Sequence, residues 1–452
     1  MDLKIKKRAH MIGVGGVSMQ AMAKLLLSYG WVVTGSDRVW SERLTELTDL
    51  GCKVWVGEQP ERIGLPDLVV YTGAVSRGNP ELEYSRCLGV PVLERKIFLS
   101  EVADNFECVI AVAGTHGKTT VASMCAGLFR HAGLPLCAHI GGDAIGMGNF
   151  FRNGDKYFLT EACEYRRGML TLRPDLGVVL NVEYDHPDTY ANLSEVYDAF
   201  DEYLERCRMK IVCGDTPYYR LRQAHSDAIT YGFDERNRFF AKDLKQLENG
   251  CYGFSVCEFG SPLCTINLSV PGRHNVLNAL GSFAVGYVNR IPLEKIAEGI
   301  ENYRGVKRRF EKKYSCHGAT VICDYAHHPK EIEATIETAR RFNGGSGRLF
   351  VVFQPHTYSR TKLLYEEFLR CFDKSDALLL IKEYAARETP EQGLSCRALC
   401  EGISHPDKRY FDNLIDAAVY LQKNTAPGDL ILVLGAGDID TLCDLLSDET
   451  TV

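Results

Sequence analysis

Short apolar runs alternate with stretches of helical period along this chain, and glycine-rich turns follow two of those runs. The run Ala9-His10-Met11-Ile12 predicts a strand, then a glycine turn, a helix near residues 19–29, and a second strand at Val32-Val33-Thr34. Leu68-Val69-Val70-Tyr71 and Val90-Pro91-Val92-Leu93 extend this β-α-β-α-β order to about Ser100. A second block opens on Cys108-Val109-Ile110-Ala111-Val112-Ala113, again followed by a glycine loop and a helix, with strands predicted at 157–160 and 176–181. Between Ile229 and Val270 the short runs show little helical period and predict antiparallel strands. A helix after Asn275 closes the block near Tyr303. The third block has strands at 320–322, 349–353, 377–381 and 430–434, with helices at 330–342, 360–372 and 413–424. Strand and helix alternate throughout, so the fold class is α/β, with parallel sheets flanked by helices. Three domains are expected, over 1–105, 106–304 and 305–452.

The length agrees, since 452 residues at roughly 150 per domain also make three. Hydrophobic residues at 45% and charged residues at 25% are the mixture of a globular chain. Lys and Arg number 52 against 59 Asp and Glu, a net charge of −7. That balance leaves no electrostatic footprint for nucleic acid or an anionic membrane. No apolar stretch approaches the ~18 residues of a spanning helix, and the basic N-terminus lacks a following apolar segment. A cytoplasmic protein without membrane insertion is expected. The 17 cysteines are scattered, with no C-x-x-C pair, so reduced thiols filling apolar gaps are expected rather than zinc ligands or disulfides.

Two loops carry the chemistry. In the first, Gly13-Val14-Gly15-Gly16-Val17 lies between strand and helix, where backbone amides and a positive helix end can face a diphosphate. Asp37, near the end of the next strand, can accept hydrogen bonds from a ribose or base. Ser18 stands where a dinucleotide fingerprint has its third glycine. In the second loop, Gly114-Thr115-His116-Gly117-Lys118-Thr119-Thr120, glycines let amides close around triphosphate oxygens. Lys118 can neutralise the β/γ charge there, and Thr119 can ligate Mg²⁺. Val112 occupies the first glycine position of the usual phosphate loop, so this is a shortened version that binds ATP.

Glu161 and His186 each follow a strand, on the edge a phosphate loop would occupy; oxygen ligands suit Mg²⁺, and an imidazole can join at a second ion. Either residue can equally be a helix cap or loop group. Asp324-Tyr325-Ala326-His327-His328-Pro329 and Gln354-Pro355-His356-Thr357-Tyr358-Ser359-Arg360 also follow apolar strands, where open α/β sheets place ligands. His327-His328 lacks a third partner for zinc. A Rossmann oxidoreductase is a rival reading of Gly13–Gly16 and Asp37, but a dehydrogenase does not need the second phosphate loop.

Taken in order with Pro271–Asn278, Gly305–Phe310 and Leu434-Gly435-Ala436-Gly437-Asp438-Ile439, these segments resemble the Mur ligase family over nearly the whole chain. The resemblance implies a Rossmann-like N-terminal domain, a central ATPase-type domain with the phosphate loop, and a Rossmann-like C-terminal domain. It implies ATP-dependent addition of L-alanine to the lactyl carboxylate of UDP-N-acetylmuramate through an acyl phosphate, a step of peptidoglycan precursor synthesis. A sister activity, joining a preformed peptide to the same sugar nucleotide, is the alternative. Carried over by position, Gly13, Val14, Gly15, Gly16, Val17 and Asp37 would hold the uridine diphosphate end. Gly114, Thr115, His116, Gly117, Lys118, Thr119 and Thr120 would hold the ATP phosphates, with Lys118 on the transferred group. Thr119 and Glu161 would ligate one Mg²⁺ and His186 a second. His274, Asn275 and Asn278 would meet adenine, while Asp324 and Arg309 would reach ribose and γ-phosphate as the third domain closes. Tyr325, His327 and Arg360 would surround alanine, Arg360 clamping its carboxylate. A monomer or weak homodimer is implied. The chain departs from the family pattern at Ser18, Cys163, Cys323 and Thr357, and Asp201 stands where some sister ligases carry a carbamylated lysine.

Overall fold

The computed structural model describes residues 1–222, 225–344, 347–386 and 388–447. Its strands form three sheets. The first contains β1 (Arg8–Ile12), β2 (Val32–Asp37), β3 (Lys53–Val56), β4 (Leu68–Tyr71) and β5 (Val92–Glu94), in the order β3-β2-β1-β4-β5 and parallel throughout. Strand order reverses between β1 and β4, and such a switch point opens a crevice beyond the strand ends. The Gly13 loop lies there.

The second sheet contains β6 (Cys108–Ala113), β7 (Leu136–Ala144), β8 (Gly148–Arg152), β9 (Tyr157–Ala162), β10 (Leu176–Val179), β11 (Met209–Cys213), β12 (Ile229–Gly232), β13 (Phe239–Gln246), β14 (Tyr252–Glu258) and β15 (Ser261–Asn267). Their order is β15-β14-β13-β12-β11-β10-β6-β9-β7-β8. β6 lies between β10 and β9 and is parallel to both, with Val179 opposite Ala113 and Ala113 opposite Ala162. Three strand ends therefore meet at the second glycine loop. The antiparallel expectation for 229–270 needs correcting at its start: β12 is parallel to β11, and to β13 through Tyr231↔Phe239 and Gly232↔Phe240. The intervening turn wraps around Asp215, which accepts from the Phe233 and Asp234 amides and from Asn237 Nδ2.

The third sheet contains β16 (Glu311–Cys316), β17 (Ala319–Asp324), β18 (Leu349–Phe353), β19 (Ala377–Ile381), β20 (Lys408–Phe411) and β21 (Leu430–Leu434), in the order β16-β17-β21-β18-β19-β20. Only the edge strand β16 is antiparallel. β18, β19 and β21 are buried along their whole length, which explains why they read as unbroken apolar runs. The single helix expected over 360–372 is two short ones, Tyr358–Leu363 and Tyr365–Phe368. Leu364 breaks them, with ψ at 23°.

Contacts divide the chain into two compact units. The first comprises Met1–Lys242, Ser255–Ile266 and Leu277–Arg304; the second comprises Asp243–Phe254, Asn267–Val276 and Gly305–Val452. Within the first unit, the helix Val17–Ser28 is buried on almost every face, as expected of a helix with apolar partners on both sides. It packs on its own sheet and on the β7–β8 hairpin. Fully buried Asn149 joins them, donating to Val17 O (2.9 Å) and Gln20 Oε1 (2.8 Å) and accepting from Lys24 Nζ (3.0 Å).

Candidate active site

Gly13 has φ +81°, and a Cβ there would stand 2.4 Å from Thr72 Cγ2, so only glycine lets β1 turn this tightly across the switch point. The Gly13 and Val14 amides donate to Ser36 O (2.8 and 3.0 Å). The Gly15 amide donates to Asp37 Oδ2 (2.8 Å), while Asp37 Oδ1 accepts from the Arg38 amide (2.7 Å). Asp37 thus fixes the loop as well as lining it. The first helical bond runs from Gln20 N to Gly16 O, so the amides of the turn from Val17 point out of the helix start. Ser18, in that turn, exchanges a hydrogen bond with His139 Nε2 (2.9 Å) and accepts from Arg95 Nη1 (3.1 Å). Burial holds the His139 imidazole down at about 4, so it stays neutral at pH 7.

The second loop begins at Gly114 (φ +147°), where a Cβ would press within 3.0 Å of Leu180 Cβ. Gly117 (φ +85°) caps the helix Lys118–His131, and a Cβ there would stand 2.9 Å from Asn278 Oδ1. Asn181 staples the loop: its carbonyl accepts from Thr115 N (3.0 Å), its Oδ1 from His116 N (2.8 Å), and its Nδ2 donates to His116 O (3.0 Å). Thr119 and Thr120, half-buried, fall in the first helical turn. Strand register sets Glu161 opposite Val112, just before the loop, and its Oε1 accepts from Gly141 N (2.6 Å).

Lys118 Nζ donates to Gly114 O and to Thr115 O (3.0 Å), and pairs with Glu164 at 3.0 and 2.9 Å from the two carboxylate oxygens. Glu164 is buried at 3% exposure. Burial opposes charge on both groups, but their mutual attraction prevails: Glu164 lies below the usual carboxylate range, with His186 assisting, and Lys118 above its own. His186, in left-handed backbone at φ 56°, places Nε2 3.6 Å from Glu164 Oε1. Lys118, Glu164 and His186 therefore form one cluster. Composition and spacing single out Glu161 but not Glu164, because the assignment depends on which of two nearby carboxylates the loop buries.

In the second unit, Asp324 ends β17 and accepts from the Phe310 and Ala326 amides, both at 2.7 Å. Its burial outweighs the nearby Arg309 charge and pushes the carboxyl up to about 6. Arg309 and Arg308 lie over the Tyr325 ring at 4.9 and 5.1 Å. Arg308 Nη2 also donates to Gly435 O and Gly437 O, tying the end of β21 to this corner. Tyr325 and His327 meet edge-on at 5.5 Å, and His327 lies 6.3 Å from the His356 ring. Arg360 Nη1 stands 3.2 Å from His356 Nδ1. The structure thus brings Tyr325, His327 and Arg360 together through His356, a residue the spacing did not single out. His274 and Asn275 also belong to this unit, His274 exposed and Asn275 donating to Pro271 O (2.7 Å), whereas Asn278 belongs to the first.

The oxygens of Thr119 and Glu161, beside a loop rich in amides and a lysine, are the donor chemistry that Mg²⁺ and a nucleoside triphosphate require. Three family profiles match in order: the Mur ligase family catalytic domain over residues 8–107, the Mur ligase middle domain over 112–286, and the Mur ligase glutamate ligase domain over 308–437. A UDP-N-acetylmuramate–L-alanine ligase of Acetivibrio thermocellus is 40% identical over 443 residues, covering 96% of this chain and 94% of its own. The crystal structure of a UDP-N-acetylmuramate–alanine ligase from Thermotoga maritima superposes with TM-score 0.84 at 24% identity, covering 97% of this chain and 98% of that one. A murein peptide ligase from Psychrobacter arcticus superposes with TM-score 0.75 at 23% identity, covering 99% of this chain and 100% of that one.

Proposed function

We propose, from the premise that the chain belongs to the Mur ligase family, that it joins L-alanine to the lactyl carboxylate of UDP-N-acetylmuramate with hydrolysis of ATP. The observation that carries this reading is the glycine loop 114–120 with Lys118, set where β6, β9 and β10 end side by side and bring up Glu161, Glu164 and His186. The 40% identity to an L-alanine ligase favours alanine over a preformed peptide as the amine.

A carboxylate resists amine attack because the leaving group would be oxide. Transfer of the γ-phosphoryl group from ATP to a carboxylate oxygen gives an acyl phosphate and ADP. The alanine amine then attacks the acyl carbon, phosphate leaves, and the nitrogen loses a proton as the amide forms. The loop amides hold the phosphates, and Lys118 offsets charge on the transferred group. Thr119 and Glu161 would hold one Mg²⁺ and His186 a second; magnesium supplies charge neutralisation at the phosphates. Asn278 packs over Gly117, next to the nucleotide. In the second unit, Arg309 serves the γ-phosphate, Asp324 the ribose, and His274 and Asn275 the base. Tyr325 and His327 flank alanine, and Arg360, steadied against His356, takes its carboxylate. The uridine diphosphate end belongs to the loop 13–17 and Asp37. On this reading residues 1–105, 106–304 and 305–452 are the sugar-nucleotide, ATP and amino-acid domains of a cytoplasmic enzyme.

The test is phosphate release with ATP, Mg²⁺ and UDP-N-acetylmuramate, adding each L-amino acid in turn. Release that depends on alanine is expected. Release that requires a peptide instead of alanine would transfer the reading to the sister activity, and none with either would overturn it.

A further inference from the structure

Two arginines follow Glu164, and both adopt left-handed backbone, Arg166 at φ 48° and Arg167 at φ 53°. Long side chains rarely occupy that region, and such conformations persist only where the surroundings impose them. Here the loop is pinned from several directions. Arg167 N donates to Glu164 O (2.9 Å), Met169 N to Cys163 O (2.7 Å), Arg166 N to Thr189 Oγ1 (3.3 Å), and Lys96 Nζ to Arg166 O (3.4 Å). Both arginines are nevertheless exposed. The fold therefore holds an unusual backbone in order to present them.

The direction in which Arg166 is presented is specific. Its Nη1 donates to Gly73 O (3.4 Å), just past the end of β4. The neighbouring Thr72 is the residue whose methyl group crowds Gly13, so this guanidinium lies at the switch point of the first sheet, beside the first glycine loop. On its other side Arg166 lies over the Tyr165 ring at 5.3 Å, and that ring lies 5.0 Å from His186. Arg166 thus stands between the crevice of the first sheet and the Lys118–Glu164–His186 cluster. A sugar nucleotide reaching from one to the other would run beside it.

The first glycine loop needs such a group. Neither the loop nor the first helical turn after it, Val17-Ser18-Met19-Gln20, contains a basic residue. The Gly13, Val14 and Gly15 amides are also spoken for by Ser36 O and Asp37. A diphosphate placed there would rely on the amides at the helix start for its charge. Of the cations nearby, Lys96 stands 3.9 Å from Glu94 and Arg95 bonds to Ser18, whereas Arg166 lies against the Gly73 carbonyl and the Tyr165 ring. Guanidinium is also the side chain whose geometry suits two phosphate oxygens at once.

We propose that Arg166 is a substrate-binding residue that takes the diphosphate of the sugar nucleotide; the proposal rests on the function given above. Arg166→Gly removes the cation and suits the backbone, since glycine accepts positive φ without strain; Arg166→Lys keeps a charge but not the fork. Two readouts apply: steady-state kinetics for each of the three substrates, and calorimetric titration of the protein with UDP alone. Loss of a charged hydrogen-bond donor to phosphate is worth roughly tenfold or more in binding. Expected in Arg166→Gly is a rise of at least about tenfold in the KM for UDP-N-acetylmuramate and in the Kd for UDP. The KM values for ATP and alanine should stay within about twofold, and Arg166→Lys should recover part of the loss. An unchanged Kd for UDP overturns the proposal, as does an equal rise for ATP. If the wild-type protein releases no phosphate with alanine, the proposed function fails by itself, and the UDP titration still decides the role of Arg166.

Discussion

Glu164→Gln should destabilise the protein through the cation it leaves behind. The substitution preserves size and removes one charge from a pair whose side chains are 4% and 15% exposed, Glu164 and Lys118 respectively. Breaking a buried pair by deleting one partner costs about 3–5 kcal/mol. An upper bound follows from the alternative open to the lysine. Shedding its proton at pH 7 against a reference pKa near 10.4 costs roughly 4.6 kcal/mol, at 1.36 kcal/mol per unit. Two loop carbonyls still accept from Lys118, so the loss should fall near the lower limit, about 3 kcal/mol. For a unit of this size, each kcal/mol moves the melting temperature by roughly 2–4 °C, and a drop of about 6–12 °C is expected by calorimetry. Lys118→Met combined with Glu164→Gln removes both charges and should recover most of that drop. A single variant within about 1 kcal/mol of the parent, or a double variant no more stable than the single, would refute the reasoning. By the same logic Lys118→Ala leaves Glu164 buried without its cation, so loss of turnover in that variant reports stability together with chemistry.

Asp324 gives a pH dependence of definite sign. Its carboxyl rises from 3.8 to about 6 on folding, so the folded state holds the extra proton, and this residue's contribution to stability falls as pH rises from about 4 to 6. The change is about 3 kcal/mol at 1.36 kcal/mol per unit; urea unfolding of Asp324→Asn should therefore gain on the wild type across that window, and parallel pH profiles would contradict the assignment. Gly13→Ala should cost about 2–4 kcal/mol, from positive φ and the clash with Thr72. Gly16→Ala, at φ −67° with its nearest neighbour 3.7 Å away, should cost under about 1 kcal/mol; equal melting temperatures for the two variants would remove the steric account.

The legible parts of this molecule are those in which local chemistry and tertiary role coincide. Gly13, Gly114 and Gly117 advertise positive φ and close approach in the residue type itself, and all three occupy such positions. The apolar runs at 349–353 and 430–434 are strands buried on both faces, so their pattern is unambiguous. The β7–β8 hairpin is not legible, because Gly141-Gly142-Asp143-Ala144-Ile145-Gly146 has the composition of a loop. Leu364 ends a helix although it is a good helix former, a tertiary override of propensity. Glu164 and Asn181 are hidden for another reason: Lys118 and the 115–116 turn that they hold lie 46 and 65 positions away in sequence, and His356 meets His327 from another loop. Ser18, in sequence a departure from a glycine pattern, bonds to His139 across 121 positions. Arg166 reads as part of a charged stretch until its backbone conformation is known.

The helix Val17–Ser28, enclosed on one side by its own sheet and on the other by β7 and β8, bears on how this protein comes apart. One continuous apolar cluster runs from Leu3 and Trp31 through Phe98, Val109 and Phe158 to Tyr203 and Tyr218. The first two sheets accordingly share a large interior, although Ile12, Val69 and Leu82 form a small cluster of their own on the first sheet. Heat should melt them in one cooperative step. A fragment ending near residue 105 would bare the helix face that Gln20 and Lys24 turn to Asn149, so it should aggregate instead of folding, and a protease that cuts there should fail to release a soluble piece. The two glycine loops then share one rigidity, and loosening either slackens the other.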